Sequence, residues 1–342
     1  MQSLSNVNIT INLEKLKYNI QHSIALCKEK SVDLAVVTKS ICADKRILDV
    51  INSLDITTIA DSRLDNFSKI NTTKHKLLIR PSIPAESDAV IKYCDSSFQT
   101  ELETVKALGD SATAQNKSHS VFIMVDLGDL RDGIIHTDND YIISMAEYIH
   151  NHRFLKLIGV AANYNCFVGL QPDKDNMSAL VTCFNLLKDY FDTDKPILSG
   201  GNSSSVSLLN GSTIAIPDEI NQFRMGEAIM LGRDPADNSL IDGYQHDVFT
   251  LNVPLLEVAI KPIKNAPCMR RGVLSIGKQD LQIDHILPID KRIKVLGACS
   301  DECVIDLSDA PEYKTGDIVQ FNLEYGALMT AFAGSFINKT YI

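Results

Sequence analysis

The sequence predicts an α/β protein: a (β/α)8 TIM-type barrel followed by a smaller C-terminal domain that is mainly β. Two observations lead to this fold class. Over residues 9–232, eight short apolar runs alternate with helix-like segments, and after residue 233 the chain becomes rich in β-forming runs separated by turns. We therefore predict a barrel over 9–232 and a β domain over 233–342, with the first strand, residues 1–8, as a candidate member of the second domain.

The barrel part begins with the alternating stretch NITIN, which predicts a short strand. Asn12 then caps a helix that carries an apolar stripe. The eight runs that follow are DLAVVTK, TTIADS, KLLIRP, DSSFQT, VFIMVDL, LIGVAAN, PILSGGNS and NQFRMG. Several are β-rich on both faces, as strands of a covered parallel sheet are. The fourth and eighth runs are weaker strand patterns, so their assignment depends on the regular alternation around them.

The C-terminal part has a different sequence pattern. Its β-rich stretches are separated by turn signals such as KTGD. They are DVFTLNVPLLEVAIKPI, GVLSIGK, RIKVLGACSDECVIDL and DIVQFNLEYGALMTAF. These stretches predict the smaller, mainly β domain.

Composition narrows the possible functions. The 342 residues are 45% apolar and 22% charged, and the formal net charge is −10, which disfavours binding to nucleic acid. The eight cysteines show no paired metal-ligand spacing and are typical of reduced thiols, so we expect no metal site. The N-terminus lacks the pattern of a signal peptide, and no apolar stretch is long enough to span a membrane. We expect a cytoplasmic protein.

Lys39 is the first candidate for chemistry. It ends the first barrel strand, and active sites of such barrels lie where the strands end. A deprotonated lysine there can form a Schiff base with an aldehyde cofactor. The alternative is a surface lysine whose stem packs on apolar neighbours. The position alone leaves both readings open.

The seventh and eighth strands end in glycine- and serine-rich turns. SGGNSSS follows the seventh, and FRMGE closes the eighth at Gly226. Loops after these two strands commonly hold a phosphate with backbone amides, although such a loop can also be a simple turn. Together with a lysine across the barrel, they indicate a phosphorylated aldehyde, pyridoxal 5′-phosphate.

The ordered set of motifs resembles the alanine racemase family, and most of all its ornithine racemase branch. The motifs are AVVTKSICAD, VDLGDLRDG, GGNSSS, FRMGE, LSIGKQD, LGACSDECVIDL and KTGDIVQFNLEYGALMTAF, and they cover nearly the whole chain. The resemblance implies an amino-acid racemase that works by a two-base mechanism with pyridoxal 5′-phosphate. Two other readings stay open: a non-catalytic carrier of the cofactor, and another reaction such as decarboxylation or aldol cleavage.

The resemblance also assigns roles. Lys39 would hold the cofactor and act as one of the two bases. Arg224 would face the pyridine nitrogen, to which a guanidinium does not readily give a proton; its alternative is a surface ion pair with Glu227 or Asp218. Arg131 would contact the cofactor and the substrate carboxylate, for which its planar fork is suited. The other cofactor-binding residues implied are Asn163, Ser203, Ser204, Gly226 and Tyr325.

Three departures from the family pattern matter. Met124 stands where a carboxylated lysine is often found beside Arg131, and Ala43 replaces a tyrosine. The segment IKNAPCMRR, where the partner subunit's second catalytic base is expected, contains no tyrosine. Racemisation needs a second proton donor opposite Lys39. The candidates are Asp301, favoured for position, Cys299, favoured for chemistry, and also Ser300, the expected substrate contact, and Lys278.

Two further expectations follow from the resemblance. The active sites would be shared between the subunits of a homodimer, because the barrel supplies only one base. The substrate would be a small-molecule amino acid with a basic side chain, ornithine or lysine. A distal ammonium needs an acceptor in a closed site. The carboxylates considered for it are Asp129, Asp132, Asp280 and Glu302.

Overall fold

The computed structural model describes residues 6–263 and 266–342. The first sheet is a closed barrel of eight parallel strands, with neighbours in the order β5-β4-β3-β2-β10-β9-β8-β6 and a β5–β6 pairing that closes the ring. Its strands are β2 (Asp33–Val37), β3 (Thr58–Asp61), β4 (His75–Leu78), β5 (Ser96–Gln99), β6 (His119–Asp126), β8 (Leu155–Ala161), β9 (Ile197–Gly201) and β10 (Gln222–Met225). All eight predicted runs are barrel strands, which confirms the predicted fold class.

Helices separate most of these strands. They are α1 (Leu13–Glu29), α2 (Lys45–Asn52), α3 (Leu64–Phe67), α4 (Ser87–Tyr93), α5 (Leu102–Ala114), α6 (Asn139–His150), α7 (Lys174–Leu186), α8 (Val206–Leu209) and α9 (Glu227–Leu231), while β7 (Ile134–Ile135) is a short addition beside β6. The predicted cap of α1 is present, because the Asn12 side chain accepts a hydrogen bond from the Lys15 amide at 3.0 Å. Leu16 and Ile20 bury the apolar stripe of α1.

The polar fourth strand is a barrel strand because its buried side chains form hydrogen bonds with side chains of neighbouring strands. The Ser96 hydroxyl bonds to the His75 ring at 2.7 Å, and the Ser97 hydroxyl bonds to the His119 ring at 2.8 Å. Gln99 donates a hydrogen bond to the same Ser97. Burial lowers the pKa of His119 to about 3, so this histidine is neutral. A buried polar strand is stable when every group has a partner.

The second sheet is built mainly from the C-terminal part of the chain. Its elements are β11 (Phe249–Ile263), β12 (Ala266–Leu274), β13 (Ile286–Pro288), β14 (Lys294–Ala298), β15 (Cys303–Asp306), β16 (Ile318–Leu323) and β17 (Asn338–Tyr341). The first strand of the chain, β1 (Asn8–Ile11), pairs antiparallel with β11 and parallel with β17. Residues 8–11 are thus hydrogen-bonded to this second sheet. Residues 1–5 lie outside the described residues, as do Lys264 and Asn265 in IKNAPCMRR.

One prediction in this part is wrong. The stretch EYGALMTAF was included in a β-rich run, but it forms helix α10 (Tyr325–Ala333). The strand β16 ends at Leu323, and the next residues include Ala, Leu and Met, which favour helix. As a result Tyr325 is the first residue of a helix rather than a strand aromatic. The helix packs against the short turn that carries Lys39.

Candidate active site

A cavity of about 560 Å³ lies where the barrel strands end. This volume is typical of a site for a small molecule. Eight residues predicted from the sequence line it together, although they come from six separate segments of the chain. They are Lys39, Arg131, Asn163, Ser203, Ser204, Arg224, Gly226 and Tyr325. The sequence argument from strand ends therefore locates one site.

Lys39 enters this cavity from the turn that follows β2. Its neighbour Thr38 is anchored by a hydrogen bond to the Asp61 carboxylate at 2.7 Å, and this fixes the start of the turn. The Lys39 ammonium lies 5.9 Å from the centre of the Tyr325 ring. Burial lowers the pKa of Lys39, and the nearby Arg131 charge lowers it further, against the opposing effect of Cys166. A larger fraction of Lys39 is thus a free amine than of an ordinary lysine.

Arg224 forms the floor of the cavity and is only 3% exposed. One terminal nitrogen donates to the Ser199 carbonyl and hydroxyl at 2.9 and 2.6 Å. The other donates to the Ala162 carbonyl at 2.7 Å and to the Asn163 side chain at 2.8 Å. A guanidinium has five N–H donors. Among the described residues the Arg224 Nε–H has no protein acceptor, so it is left for a ligand.

This geometry rules out a surface role for Arg224. Within the part of the chain that the structure describes, neither Glu227 nor Asp218 forms an ion pair with it. Burial instead lowers the pKa of Arg224 to about 10. The guanidinium therefore stays charged at neutral pH, and its orientation is set by backbone and amide acceptors.

The turns after β9 and β10 meet at one side of the cavity. The Ser203 hydroxyl accepts a hydrogen bond from the Gly226 amide at 3.0 Å. A Cβ atom at Gly226 would lie 3.1 Å from the Val37 carbonyl oxygen, so glycine allows β10 to end close to β2. Ser204 and Tyr325 line the same cavity with their hydroxyl-bearing side chains. Hydroxyls and backbone amides of this kind are the donors that bind phosphate oxygens.

A chain of polar contacts connects the floor to Arg131. Asn163 accepts from Arg224 and donates to the Asp132 carboxylate at 3.5 Å. The same Asp132 oxygen accepts from Arg131 Nε at 2.7 Å. Because Asp132 holds Nε, the two terminal nitrogens of Arg131 have no protein partner among the described residues. They are the part of a guanidinium that binds a carboxylate with two parallel hydrogen bonds.

The structure shows the surroundings of Met124 and Ala43, the two residues that differ from the family pattern in the barrel. Met124 is fully buried inside the barrel, in the apolar cluster with Phe98 and Phe122. No ionisable group therefore stands beside Arg131 from that position. Ala43 has a φ of 59°, in the turn that follows Lys39.

The sequence argument missed several lining residues. Cys166, Asn202 and Glu227 all face the cavity. The Cys166 thiol donates to the Tyr164 carbonyl at 3.3 Å. Burial raises the pKa of this thiol, although Arg131 and Lys39 oppose the effect. The signal that could have found these residues is their position, one to five residues after the end of a barrel strand.

Asp129, considered as a partner for a distal ammonium, instead forms hydrogen bonds with the backbone of a loop. It is only 3% exposed and accepts hydrogen bonds from the Cys166 and Phe167 amides at 2.9 and 3.3 Å. This carboxylate holds the loop after β8 over the site. It does not line the cavity.

The candidates for the second base lie in the β domain and are brought together there. The Lys278 amide donates to the Cys299 carbonyl at 3.0 Å, which joins two turns. Asp301 accepts hydrogen bonds from the Cys299 thiol at 3.4 Å and the Ser300 hydroxyl at 3.1 Å. These contacts hold the pKa of Asp301 below its usual range. None of the four lines the cavity around Lys39 in the same chain.

The donor set around Lys39 fits pyridoxal 5′-phosphate. A lysine with a lowered pKa suits the aldehyde, and the Arg224 Nε–H on the cavity floor suits the ring nitrogen. The hydroxyls of Ser203, Ser204 and Tyr325 suit the phosphate. Within the described residues there is no cluster of ligands for a metal ion. Also within them, no helix combines the length and apolar character needed to cross a bilayer.

Comparisons with known proteins agree with this site. The alanine racemase N-terminal domain profile matches residues 11–234. Ornithine racemase from Acetoanaerobium sticklandii is 36% identical, and the alignment covers 97% of this chain and 98% of that protein. Lysine racemase from Thermotoga maritima is 26% identical over the same shares of the two proteins.

Solved structures show the same fold at low identity. Alanine racemase from Clostridium difficile 630, in complex with cycloserine, has a TM-score of 0.76 at 15% identity and covers 99% of this chain and 96% of its own. D-threo-3-hydroxyaspartate dehydratase from Delftia sp. HT23 has a TM-score of 0.78 at 13% identity, with 97% and 94% covered.

The fold and site thus define a barrel enzyme that uses pyridoxal 5′-phosphate as its cofactor. The chain belongs to the alanine racemase family, and it is an amino-acid racemase.

Proposed function

We propose that this racemase interconverts the L- and D-forms of a basic amino acid, ornithine or lysine. The single observation that carries the proposal is the cavity in which Lys39 and Arg131 face a common space. The two curated relatives support the choice of substrate, because they are named for ornithine and lysine and align over 97% of this chain.

In the proposed mechanism, each residue of the cavity has a defined task. Arg131 binds the substrate carboxylate with its two terminal nitrogens and is kept in place by Asp132. Lys39, whose pKa is lowered by burial, takes or returns the proton at Cα on one face. Arg224 orients the cofactor ring from the floor of the cavity. When bound, the cofactor supplies the electron-withdrawing system that makes the Cα–H bond acidic.

Inversion requires a second group that moves a proton on the opposite face of Cα. We propose that the partner subunit of a homodimer brings the turn with Cys299, Ser300 and Asp301 over the cavity. Asp301 is our choice for the proton carrier because of its position, as the carboxylate to which Cys299 and Ser300 both donate in this turn. Cys299 is the alternative, and Ser300 would contact the substrate.

We also propose that the enzyme works in the cytoplasm. All eight cysteines are free thiols, including the exposed Cys166, Cys268 and Cys299. Exposed free thiols are typical of proteins in a reducing compartment.

The test is a panel of L-amino acids incubated with the pure holoenzyme and resolved by chiral chromatography. We expect the D-forms of ornithine or lysine to appear with a higher kcat/KM than D-alanine. Alanine as the best substrate would contradict the basic-substrate proposal while leaving the racemase intact. Release of carbon dioxide or an aldehyde without racemisation would contradict the reaction itself.

A further inference from the structure

A basic substrate brings a distal ammonium that needs an acceptor inside the cavity. Burying this cation without a partner is costly. The described residues that line the cavity include two carboxylates, Asp132 and Glu227. Two of the others considered from the sequence, Asp280 and Glu302, lie in the β domain and do not line it. The choice is therefore between Asp132 and Glu227.

Asp132 is already occupied. Its Oδ1 accepts from Arg131 at 2.7 Å and from Asn163 at 3.5 Å. These bonds hold Arg131 ready for the α-carboxylate of the substrate. An ammonium bound at Asp132 would compete with Arg131 and lie beside a like charge, which is unfavourable.

Glu227 is different, because it lines the cavity without being used by the protein. Among the described residues its carboxylate accepts no hydrogen bond and forms no ion pair. The side chain is half-buried, in the first turn of α9. A carboxylate that faces a cavity with open acceptor oxygens is suited to a cationic ligand.

The strand order places Glu227 on the correct side of the substrate. The close approach of Gly226 to Val37 sets the start of α9 beside β2, which is followed by Lys39. Arg131 follows β6, which stands four strands away from β2 around the ring in either direction. An amino acid with its carboxylate at Arg131 and its Cα at Lys39 would direct its side chain away from Arg131, toward the β2 and β10 side of the cavity, where Glu227 lies.

We propose that Glu227 binds the distal ammonium of ornithine or lysine and is the residue that selects a basic substrate. This inference rests on the proposed function, and it adds the subsite for the side chain. Tyr325, which lies beside Lys39, would form the neighbouring wall of the same subsite. Selection arises because a neutral side chain leaves the Glu227 carboxylate partly desolvated and unpaired.

The charge balance around Glu227 gives this subsite a pH dependence. Burial, the largest effect, raises the pKa of Glu227 to about 7, and Lys39 acts in the opposite direction. The surrounding charges also include Asp234 and Glu324, which raise it, and Arg233, which lowers it. Only the ionised carboxylate attracts an ammonium. The KM for a basic substrate should therefore rise as the pH falls through about 7.

The experiment compares matched substrates in matched variants of the holoenzyme. Ornithine is paired with norvaline, and lysine with norleucine, since each neutral partner lacks only the distal ammonium. The variants are Glu227→Gln, which keeps the shape, Glu227→Asp, which keeps the charge, and Glu219→Gln. Glu219 is exposed just before β10 and controls for the loss of one negative charge. Cofactor absorbance reports whether each variant is folded and loaded.

We expect Glu227→Gln to lower the ratio of kcat/KM for ornithine to that for norvaline by about 10- to 100-fold, mainly through KM. Glu227→Asp should keep more of the ratio than Glu227→Gln, and Glu219→Gln should keep all of it. The rise in KM at low pH should disappear in Glu227→Gln.

The outcomes separate the inference from the proposed function. An equal fall for ornithine and norvaline would mean that Glu227 acts through Lys39, and it would overturn the inference. A ratio that Glu227→Gln leaves intact would do the same. A wild-type enzyme that racemises alanine but neither basic substrate would instead overturn the proposed function.

Discussion

The barrel side of the site and the β-domain turns with the second-base candidates are built in opposite ways. Around Lys39 the polar groups are connected, from the buried Arg224 through the half-buried Asn163 and Asp132 to Arg131, which is exposed at the mouth of the cavity. Around Asp301 the side chains are exposed, and they bond mainly to one another. We call the barrel side, which surrounds the cavity of one chain, the enclosed half of the proposed site, and the β-domain turns, which lie on the surface, the exposed half.

The exposed half is still ordered by its backbone. The turn at residues 277–280 and the turn at 299–302 are joined by the Lys278 and Gln279 amides, which donate to Cys299 and Ser300. A second cavity, of about 710 Å³, lies beside these turns and is lined by Lys278, Asp280 and His285. These turns and the cavity beside them form the surface that we propose meets the partner subunit. The β-domain turns are therefore ordered, although they do not line the Lys39 cavity of their own chain.

The largest effect should come from removing Lys39, which breaks the enclosed half alone. Lys39→Ala should lose on the order of 10³-fold or more in kcat, because both the cofactor attachment and one base disappear. Borohydride reduction should fix the cofactor to the Lys39 peptide in the wild type and to no peptide in the variant. Asp301→Asn should leave this fixation unaltered. Cofactor recovered on another lysine would contradict the assignment.

Complementation tests whether the two halves come from different chains. Lys39→Ala and Asp301→Asn should each be inactive alone. Mixed dimers have one site with both defects and one with neither, so random re-association should restore about a quarter of wild-type activity. The mixture is unfolded and refolded together, and the two variants refolded separately are the control. Full activity in a verified monomer would contradict the shared site.

The backbone contact between the two β-domain turns offers a smaller and more selective change. A Cβ at Gly277 would lie 2.4 Å from the Asp301 amide nitrogen and the Ser300 carbonyl oxygen. Gly277→Ala should therefore push the turns apart at a cost of about 1–3 kcal/mol in stability. We expect a lower kcat with unchanged cofactor affinity, measured by titration. Gly109→Ala in α5 is the matched control, since its Cβ would also be crowded, 2.8 Å from the His152 ring, but away from these turns. An equal fall in kcat in both variants would mean that the substitutions affect only the general stability of the protein.

The sequence could predict the enclosed half because strand ends are visible in the pattern. Lys39, Ser203 and Arg224 each follow or end an apolar run, and a parallel barrel brings all such ends to one face. The fourth strand was weak as a pattern because its stability comes from buried hydrogen bonds between side chains of different strands. Such pairings are long-range, so a window of sequence does not contain them.

The residues that the sequence did not reveal lie in loops whose side-chain directions depend on distant contacts. Cys166 faces the cavity because Asp129, 37 residues away, holds its amide. Glu227 faces it because Gly226 lies against Val37 on another strand. The helix α10 was mistaken for a strand because its apolar run lacks a clear period. The first two misses concern geometry between segments, whereas the error at α10 lies in the reading of a single segment.

The smallest effect we predict is a shift in the pH dependence of cofactor capture, and it isolates the environment of Lys39. The free amine reacts with the aldehyde, so the capture rate should rise with pH and become level above the pKa of Lys39. Burial, and then the Arg131 charge, lower that pKa, against Cys166, Asp61 and Glu227. The bend should therefore lie below 10.5, the ordinary value. Arg131→Gln should move the bend upward, since one lowering charge is lost while burial stays. The measurement adds cofactor to the apoenzyme at a series of pH values and traps the bound cofactor with borohydride. The Lys39→Ala variant gives the background, and the amount trapped with time gives the capture rate at each pH. If the capture rate instead becomes level only at or above the ordinary lysine pKa, the surroundings of Lys39 do not lower the pKa of its amine.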